Sequence, residues 1–188
     1  MTETTETILR FLDGDEEAFT LLVQEWQRRV YNLAWRFLGN REDAQDAVQE
    51  TFLAVFRSLR GLRDPKSFPA WLYRIALNQC RARWRFRSPE LSLDDPGPGR
   101  DGEEGTLPQV AAGGTDFAGR LEVRDLVCKA LMSTSEDHRS AIILKEYMGL
   151  SLEEVARVMD CPLSTAKSRL YHGLRGVQQS LRKLGVGT

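Results

Sequence analysis

The chain has 188 residues, of which 41% are hydrophobic and 28% are charged, and its net charge is −1. This composition is typical of a globular protein with one large domain or two small ones. No apolar run approaches the ~18 residues of a membrane span, so we expect no membrane insertion. The acidic N-terminal segment lacks the basic start of a signal peptide, and the three cysteines are too widely spaced for a disulfide framework or a CxxC site. We therefore expect a cytoplasmic protein without a metal site or a cofactor.

The near-neutral net charge hides two basic blocks. Residues 57–90 carry nine Lys/Arg against two acids, and residues 161–188 carry five Lys/Arg and no acid. Each block falls on a predicted helix, which indicates two places where a polyanion could bind. The alternative is ordinary solvated surface charge.

The N-terminal half is predicted to be helical. Apolar residues recur at three- and four-residue steps from Phe19 to Phe37, and Gly39 ends this helix. Asn40 is a suitable N-cap for a second helix that runs to Leu59. No segment shows the alternation of a strand, so residues 8–87 are predicted to form an all-helical domain.

The third predicted helix is both aromatic and basic. Gly61 and Pro65 interrupt the chain before it, and Pro69 suits its first turn. The helix reads "FPAWLYRIALNQCRARWRFR" and contains five arginines. Single-stranded bases bind to aromatic faces beside cationic grooves, so this helix is a candidate for contacts with opened DNA.

Residues 88–117 contain four prolines, six glycines and seven acids, which predicts a flexible acidic linker. Helical periodicity resumes at about Ala118, and Ser135 is expected to cap a helix that runs to Met148. Ser151 and Glu154 form a capping box before a short helix. The break at Cys161-Pro162 precedes a final basic helix, which is the layout of a helix-turn-helix. A plain helical hairpin is the alternative.

Two blocks of this sequence resemble a known family. "DAQDAVQETFLAVFRSL" and "FPAWLYRIALNQCRARW" resemble region 2 of bacterial sigma-70 factors of the extracytoplasmic-function (ECF) group, and "LSLEEVARVMDCPLSTAKSRLYHGLRGVQ" resembles region 4. The resemblance implies an all-α fold with a region 2-like domain over 1–87, the linker over 88–117 and a region 4-like helix-turn-helix domain over 118–188. It implies a sigma factor, not an enzyme, that binds the β′ clamp and β flap of core RNA polymerase and directs it to promoter DNA.

The resemblance also implies functional residues in the N-terminal half. The residues expected to bind core polymerase lie on the second helix and are Asp43, Asp46, Gln49, Glu50 and Phe52. The residues expected to bind and melt the −10 element lie in the turn and on the third helix and are Leu62, Arg63, Asp64, Ser67, Tyr73, Arg74, Asn78, Arg81 and Trp84.

The final helix is expected to bind the −35 element. Lys167, Ser168, Tyr171 and His172 would approach bases, while Ser164, Thr165, Arg169 and Arg175 would hold phosphates. His172 and Gly173 stand where the family usually has Arg-Ala, and Gly173 is expected to weaken the helix by about 1 kcal/mol.

The sequence leaves the role of the linker, the partners and one competing function open. The linker could be a tether or could enter the polymerase channel, where its charge would mimic RNA. A separate anti-sigma protein is expected as a partner. The competing function is that of an ordinary helix-turn-helix regulator, which would bind promoters without polymerase.

Overall fold

The computed structural model describes residues 3–87 and 126–185, and every regular element in those two ranges is helical. The all-α fold with two helical bodies is therefore confirmed. Residues 88–125, which include the predicted linker, lie outside the described residues. Within the described ranges, no helix combines the length and the apolar character needed to cross a bilayer.

The N-terminal body consists of four helices and two short 3₁₀ turns. The helices are α1 (Glu3–Leu12), α2 (Glu17–Leu38), α3 (Arg41–Ser58) and α4 (Phe68–Arg87), and the turns are Leu59–Gly61 and Pro65–Ser67. Helices α2, α3 and α4 pack against one another, and α1 packs on α2. Their apolar faces meet in a core that includes Leu22, Val30, Phe37, Val55 and Leu72.

Helix α1 was not predicted as a separate helix. Its acidic first turn and the buried pair Ile8 and Phe11, three residues apart, are the signals that the sequence offered. Gly14, at φ +103°, ends the turn after it. Asp15 then accepts hydrogen bonds from the first backbone N–H groups of α2 and binds Arg10 at 2.6 Å. The Arg10 hydrogen bond lowers the pKa of Asp15.

The junction between α2 and α3 forms as the sequence predicts. Gly39 adopts the left-handed conformation, and its N–H donates to the carbonyl of Trp35 at 2.8 Å. The side chain of Asn40 accepts hydrogen bonds from the backbone N–H groups of Glu42 and Asp43. One carbonyl at the end of α2 and two N–H groups at the start of α3 are thereby satisfied by residues close in the sequence, which favours a sharp reversal between the two long helices.

The C-terminal body contains a helix over 126–132 (α5), then α6 (Glu136–Ile142), α7 (Leu152–Met159) and α8 (Leu163–Lys183). The Ser135 side chain caps α6, as predicted, by accepting from the N–H of His138. Helix α6 continues as a π-helical segment, Ile143–Tyr147, in which the N–H of Met148 donates to the carbonyl of Ile143. Gly149, at φ +72°, ends it.

Helices α7 and α8 form the predicted helix-turn-helix. The capping box is present, because Ser151 and Glu154 each bind the other's backbone N–H. Asp160 ends α7 in the left-handed conformation at φ 52°. Helices α7 and α8 pack against each other, and the small residues Ala156 of α7 and Ala166 of α8 are both buried.

The two bodies pack against each other, which the sequence did not indicate. Helix α4 contacts α7, and the π-helical segment contacts α2. The guanidinium of Arg36 lies 4.3 Å from the centre of the Tyr147 ring. A single hydrophobic core runs through both bodies.

Candidate nucleic-acid and polymerase interfaces

The predicted polymerase-binding residues lie along α3. Asp46, Gln49 and Glu50 are exposed, and Asp43 is half-buried. Arg83 of α4 binds two of these acids, with its Nε 3.3 Å from Asp43 Oδ1 and its Nη2 on Asp46. Arg83 therefore orders Asp43 and Asp46 from α4, while Gln49 and Glu50 remain exposed to a partner.

Phe52 is not exposed as Asp46, Gln49 and Glu50 are. Its side chain is only 7% exposed and packs in the core of the N-terminal body. Phe52 lies on the apolar face of α3 together with Val55. Its contact with polymerase therefore stays a prediction, and this structure gives it no exposed surface for that contact.

The turn between α3 and α4 is ordered by Asp64. Its carboxylate accepts from the N–H of Lys66 at 3.0 Å, and its carbonyl accepts from the hydroxyl of Ser67 at 2.7 Å. Arg63 and Asp64 are exposed, whereas Leu62 is half-buried against the core. The turn thus presents a fixed polar surface beside the start of α4.

Tyr73 is a core residue in this structure. It is 3% exposed, and its ring meets Trp26 edge to face with 6.0 Å between the ring centres. Burial raises the pKa of its hydroxyl. A base stacks on one open ring face, and in this structure the Tyr73 ring is covered, so the predicted contact of Tyr73 with an unpaired base stays a prediction.

Four predicted −10 residues of α4 lie outside the core. Asn78 and Arg74 are exposed, while Arg81 and Trp84 are half-buried. Arg74 forms an ion pair with Asp160 of the C-terminal body at 3.2 Å. Both members of that pair are well exposed, so the pair contributes little on its own.

Arg81 makes the stronger contact with the C-terminal body. Its Nη2 binds Asp137 Oδ1 at 2.6 Å, and its Nε lies 2.9 Å from Glu136 Oε1 without the alignment of a hydrogen bond. Arg169 of α8 binds the other oxygen of Asp137. Burial raises the pKa of Glu136, although the nearby Arg81 and Arg85 act in the opposite direction. A predicted −10 residue and a predicted −35 residue thus share one carboxylate.

Arg139 is the functional candidate that the sequence reading missed. Its side chain is 1% exposed and donates hydrogen bonds to four backbone carbonyls, those of Phe37, Leu131, Met132 and Thr134. These carbonyls lie at or just beyond the C-terminal ends of α2 and α5, where the helix dipole favours a cation. Burial lowers the pKa of Arg139 to about 10, so it stays charged at neutral pH. An arginine within an apolar stripe was the available signal.

Helix α8 presents a basic, polar face. Ser164, Lys167, Ser168, His172 and Arg175 are exposed, and Thr165, Arg169 and Tyr171 are half-buried. The Arg175 guanidinium lies 5.6 Å from the centre of the Tyr171 ring. The structure therefore brings all eight predicted −35 residues onto one helix, with five of them open to a groove.

Gly173 has a positive structural role that the sequence did not indicate. A Cβ at this position would lie 2.9 Å from Ile142 Cδ1 and 3.1 Å from both the Cβ and the carbonyl oxygen of His138. Glycine thus suits the place where α8 approaches α6 closely. The expected cost of Gly173 to helix propensity remains, and its lack of a side chain also permits this close approach.

Comparisons with known proteins give one matching family model for each of the two helical bodies. The family model "Sigma-70 region 2" matches residues 22–89, and "Sigma-70, region 4" matches residues 129–175. The ECF RNA polymerase sigma-E factors of Salmonella typhimurium and Escherichia coli are each 34% identical over 93% of this chain and 92% of their own. The RNA polymerase sigma-H factor of Pseudomonas aeruginosa is 32% identical over 95% of this chain and 94% of its own.

Two solved structures share the fold. CnrH, solved in complex with the cytosolic domain of CnrY, has a TM-score of 0.71 at 24% identity and covers 97% of this chain and 99% of its own. The sigma factor RpoE from Bartonella quintana, solved with the anti-sigma factor NepR, has a TM-score of 0.65 at 25% identity and covers 87% of this chain and 96% of its own.

Proposed function

The chain belongs to the ECF group of the sigma-70 family of RNA polymerase sigma factors, and from this membership we propose which of its surfaces bind polymerase, the −10 element and the −35 element. Proteins of this family are not enzymes. They bind core RNA polymerase and promoter DNA and direct transcription initiation, and this is the function of the chain. The proposals below concern which residues carry each step.

We assign polymerase binding to the exposed edge of α3. Asp46, Gln49 and Glu50 point away from the core, and two acids with an amide between them suit a basic or polar surface of the β′ clamp. Asp43 would act mainly through its contact with Arg83. The domain boundaries proposed for this division are 1–87, 88–117 and 118–188, and the β flap is the proposed polymerase contact of the C-terminal body.

We assign the −10 element to the turn before α4 and to the outer face of α4. Arg63, Arg74 and Asn78 are exposed there. Arg81 and Trp84 lie along the same helix and would join them when the C-terminal body moves away. Cations and a ring on one helix suit an opened strand, because stacking and phosphate contacts together hold unpaired bases.

The −35 element is assigned to α8, and the exposed basic face of this helix is the observation that carries the assignment. Lys167, Ser168 and His172 would approach base edges, while Ser164, Arg169 and Arg175 would hold phosphates. The capped α7 packs against α8 and so supports a fixed direction for α8, as a recognition helix requires.

Promoter-directed transcription with purified core polymerase tests the −35 assignment. Lys167→Glu combined with Arg175→Glu should abolish run-off transcript while the variant still co-elutes with polymerase. The matched control is Arg182→Glu combined with Lys183→Glu, which makes the same charge change at the exposed far end of α8. Equal loss of transcript in both variants would contradict a specific role for the proposed face.

We also propose that a separate anti-sigma protein holds this chain inactive. The support is the 25% identical RpoE structure, which was solved with its anti-sigma factor. Affinity purification of the tagged chain from its own cells should yield a co-purifying protein that suppresses transcription in the purified system. Recovery of the chain with polymerase subunits alone would oppose this proposal.

A cytoplasmic location follows from the proposed work, since polymerase and promoter DNA both reside there in bacteria. Cell fractionation should place the chain with the polymerase subunits, and recovery in the membrane pellet without polymerase would oppose the location.

A further inference from the structure

The first turn of α6 binds an arginine from each body. Asp137 uses one carboxylate oxygen for Arg81 of α4, at 2.6 Å, and the other for Arg169 of α8. Glu136 lies 2.9 Å from the Nε of the same Arg81. Two carboxylates and two guanidinium groups therefore form one ionic cluster at the contact between the bodies.

This cluster is shielded from water. The side chains of Arg81, Glu136, Asp137 and Arg169 are between 17% and 28% exposed. Ion pairs at this depth are screened less than surface pairs, and hydrogen bonds between a guanidinium and a carboxylate are among the strong ones in proteins. A carboxylate, like a DNA phosphate, offers an arginine two anionic oxygens that its guanidinium group can bind.

We propose that Glu136 and Asp137 form an internal docking surface for the DNA-binding arginines, occupying Arg81 and Arg169 in place of DNA and keeping the free chain closed. This inference rests on the proposed function, because it takes both arginines as DNA contacts. Arg139 lies at the same contact between the bodies and supports the closed arrangement through its bond to Phe37 and its position over the Trp84 ring.

The closed arrangement is incompatible with binding a whole promoter. The −10 and −35 elements lie about 25 base pairs apart, which is about 85 Å of duplex at 3.4 Å per base pair. Arg81 and Arg169 contact opposite oxygens of one carboxylate, so they are only a few ångströms from it. The bodies must therefore separate before both elements can be bound. The 38 residues from 88 to 125 allow this, since their covalent length limits the separation only at about 130 Å.

The double variant Glu136→Gln with Asp137→Asn tests the proposal in the full-length free chain. It keeps the shape of both side chains and removes the charge that binds the arginines. The matched control is Glu146→Gln with Glu153→Gln, which removes two exposed acids from the same body. Circular dichroism verifies folding. If the double variant is unstable, Asp137→Asn alone carries the test, because Asp137 contacts both arginines.

Two measurements are made on each protein. Small-angle X-ray scattering gives the radius of gyration, which is about 16 Å for a compact chain of this length. Fluorescence anisotropy gives the affinity for a short mixed-sequence duplex and for a mixed-sequence single strand. We expect the double variant to expand by several ångströms and to bind both probes about tenfold more tightly than the control, the effect of one lost charge-assisted hydrogen bond.

The outcomes separate this inference from the proposed function. A wild-type chain that is already as expanded as the double variant would overturn the closed state and leave the sigma function untouched. Expansion of the double variant without a gain in affinity over the control would overturn the competition between acids and DNA. Loss of promoter-directed transcription in the α8 variants, measured separately, continues to report on the proposed function alone.

Discussion

The guanidinium carbon of Arg139 lies 4.3 Å from the centre of the Trp84 indole ring, so a residue of the C-terminal body covers a ring of the N-terminal body. The same guanidinium donates to the carbonyl of Phe37 at 2.8 Å. A buried cation that stacks on one helix and caps another fixes both their distance and their angle. We infer that Arg139 fixes the position of the C-terminal body against α2 and α4.

Replacing Arg139 with Met should strongly destabilise the folded chain. The change keeps most of the volume but removes a donor from four backbone carbonyls. Leu131 keeps its bonds from Thr134, whereas a buried group left unsatisfied costs about 1–3 kcal/mol. We expect the free energy of unfolding in urea to fall by about 3 kcal/mol or more. The control Arg157→Met alters an exposed arginine of α7 and should change it by less than about 0.5 kcal/mol. Similar free energies of unfolding for the two variants would contradict the stabilising role of Arg139.

Gly173→Ala should destabilise the chain although alanine is the better helix former. Helix propensity favours alanine by about 1 kcal/mol, whereas overpacking a close contact costs about 1–3 kcal/mol. The added Cβ would lie 2.9 Å from Ile142 Cδ1 and 3.1 Å from the carbonyl oxygen of His138. Because the backbone carbonyl cannot move aside easily, we expect a net loss of about 1 kcal/mol, measured by thermal unfolding.

Gly176 provides the matched control on the same helix. A Cβ there would lie 3.5 Å from Thr134 Cγ2, which is an ordinary contact. Gly176→Ala should therefore raise the melting temperature, since only the gain in helix propensity applies. An equal rise in both variants would show that α6 and α8 do not approach closely at Gly173.

The Cys80 thiol should resist alkylation in the folded chain. It is 1% exposed, and burial raises its pKa to about 12. At about pH 8 the folded chain then holds almost no thiolate at this position. Cys128 and Cys161 are half-buried and should react with iodoacetamide first, as mass spectrometry of the peptides would show. Modification of Cys80 as fast as Cys161 would contradict its burial.

The raised pKa of Cys80 also predicts the direction of a pH effect on stability. An unfolded chain loses the thiol proton above about pH 8.5, whereas the folded chain keeps it until about pH 12. The contribution of the neutral thiol is therefore complete below about pH 8.5 and is lost as the pH rises towards 12. Urea unfolding of Cys80→Ala should show a weaker decline in stability over this range than the wild type, and an identical decline would count against the shift.

Local features of the fold could be predicted from the sequence because they depend on few neighbouring residues. Gly39, Asn40, Ser135 and the Ser151–Glu154 box each close a helix end by bonds within five residues. Helix caps of this kind can be predicted from the sequence, since each capping residue bonds to a residue only a few positions away.

The contacts between the bodies could not be predicted in this way. The local pattern does not distinguish Arg81 from a solvated arginine, and the apolar residues near Arg139 indicate burial but not its partner. Their partners lie 56 and 102 residues away in the chain. The burial of Tyr73 and Phe52 could not be predicted for a related reason. Both occur on helices with mixed faces, and only the packing of α2 decides which side is covered.

Co-elution with core RNA polymerase on a sizing column tests the central claim most directly. Asp46→Lys with Glu50→Lys reverses the exposed edge of α3, and Asp13→Lys with Glu16→Lys makes the same charge change at the exposed turn before α2. We expect the wild type and the Asp13/Glu16 control to co-elute with polymerase and the Asp46/Glu50 variant to elute alone. Failure of the folded wild-type chain to co-elute, or equal binding by all three proteins, would contradict the account.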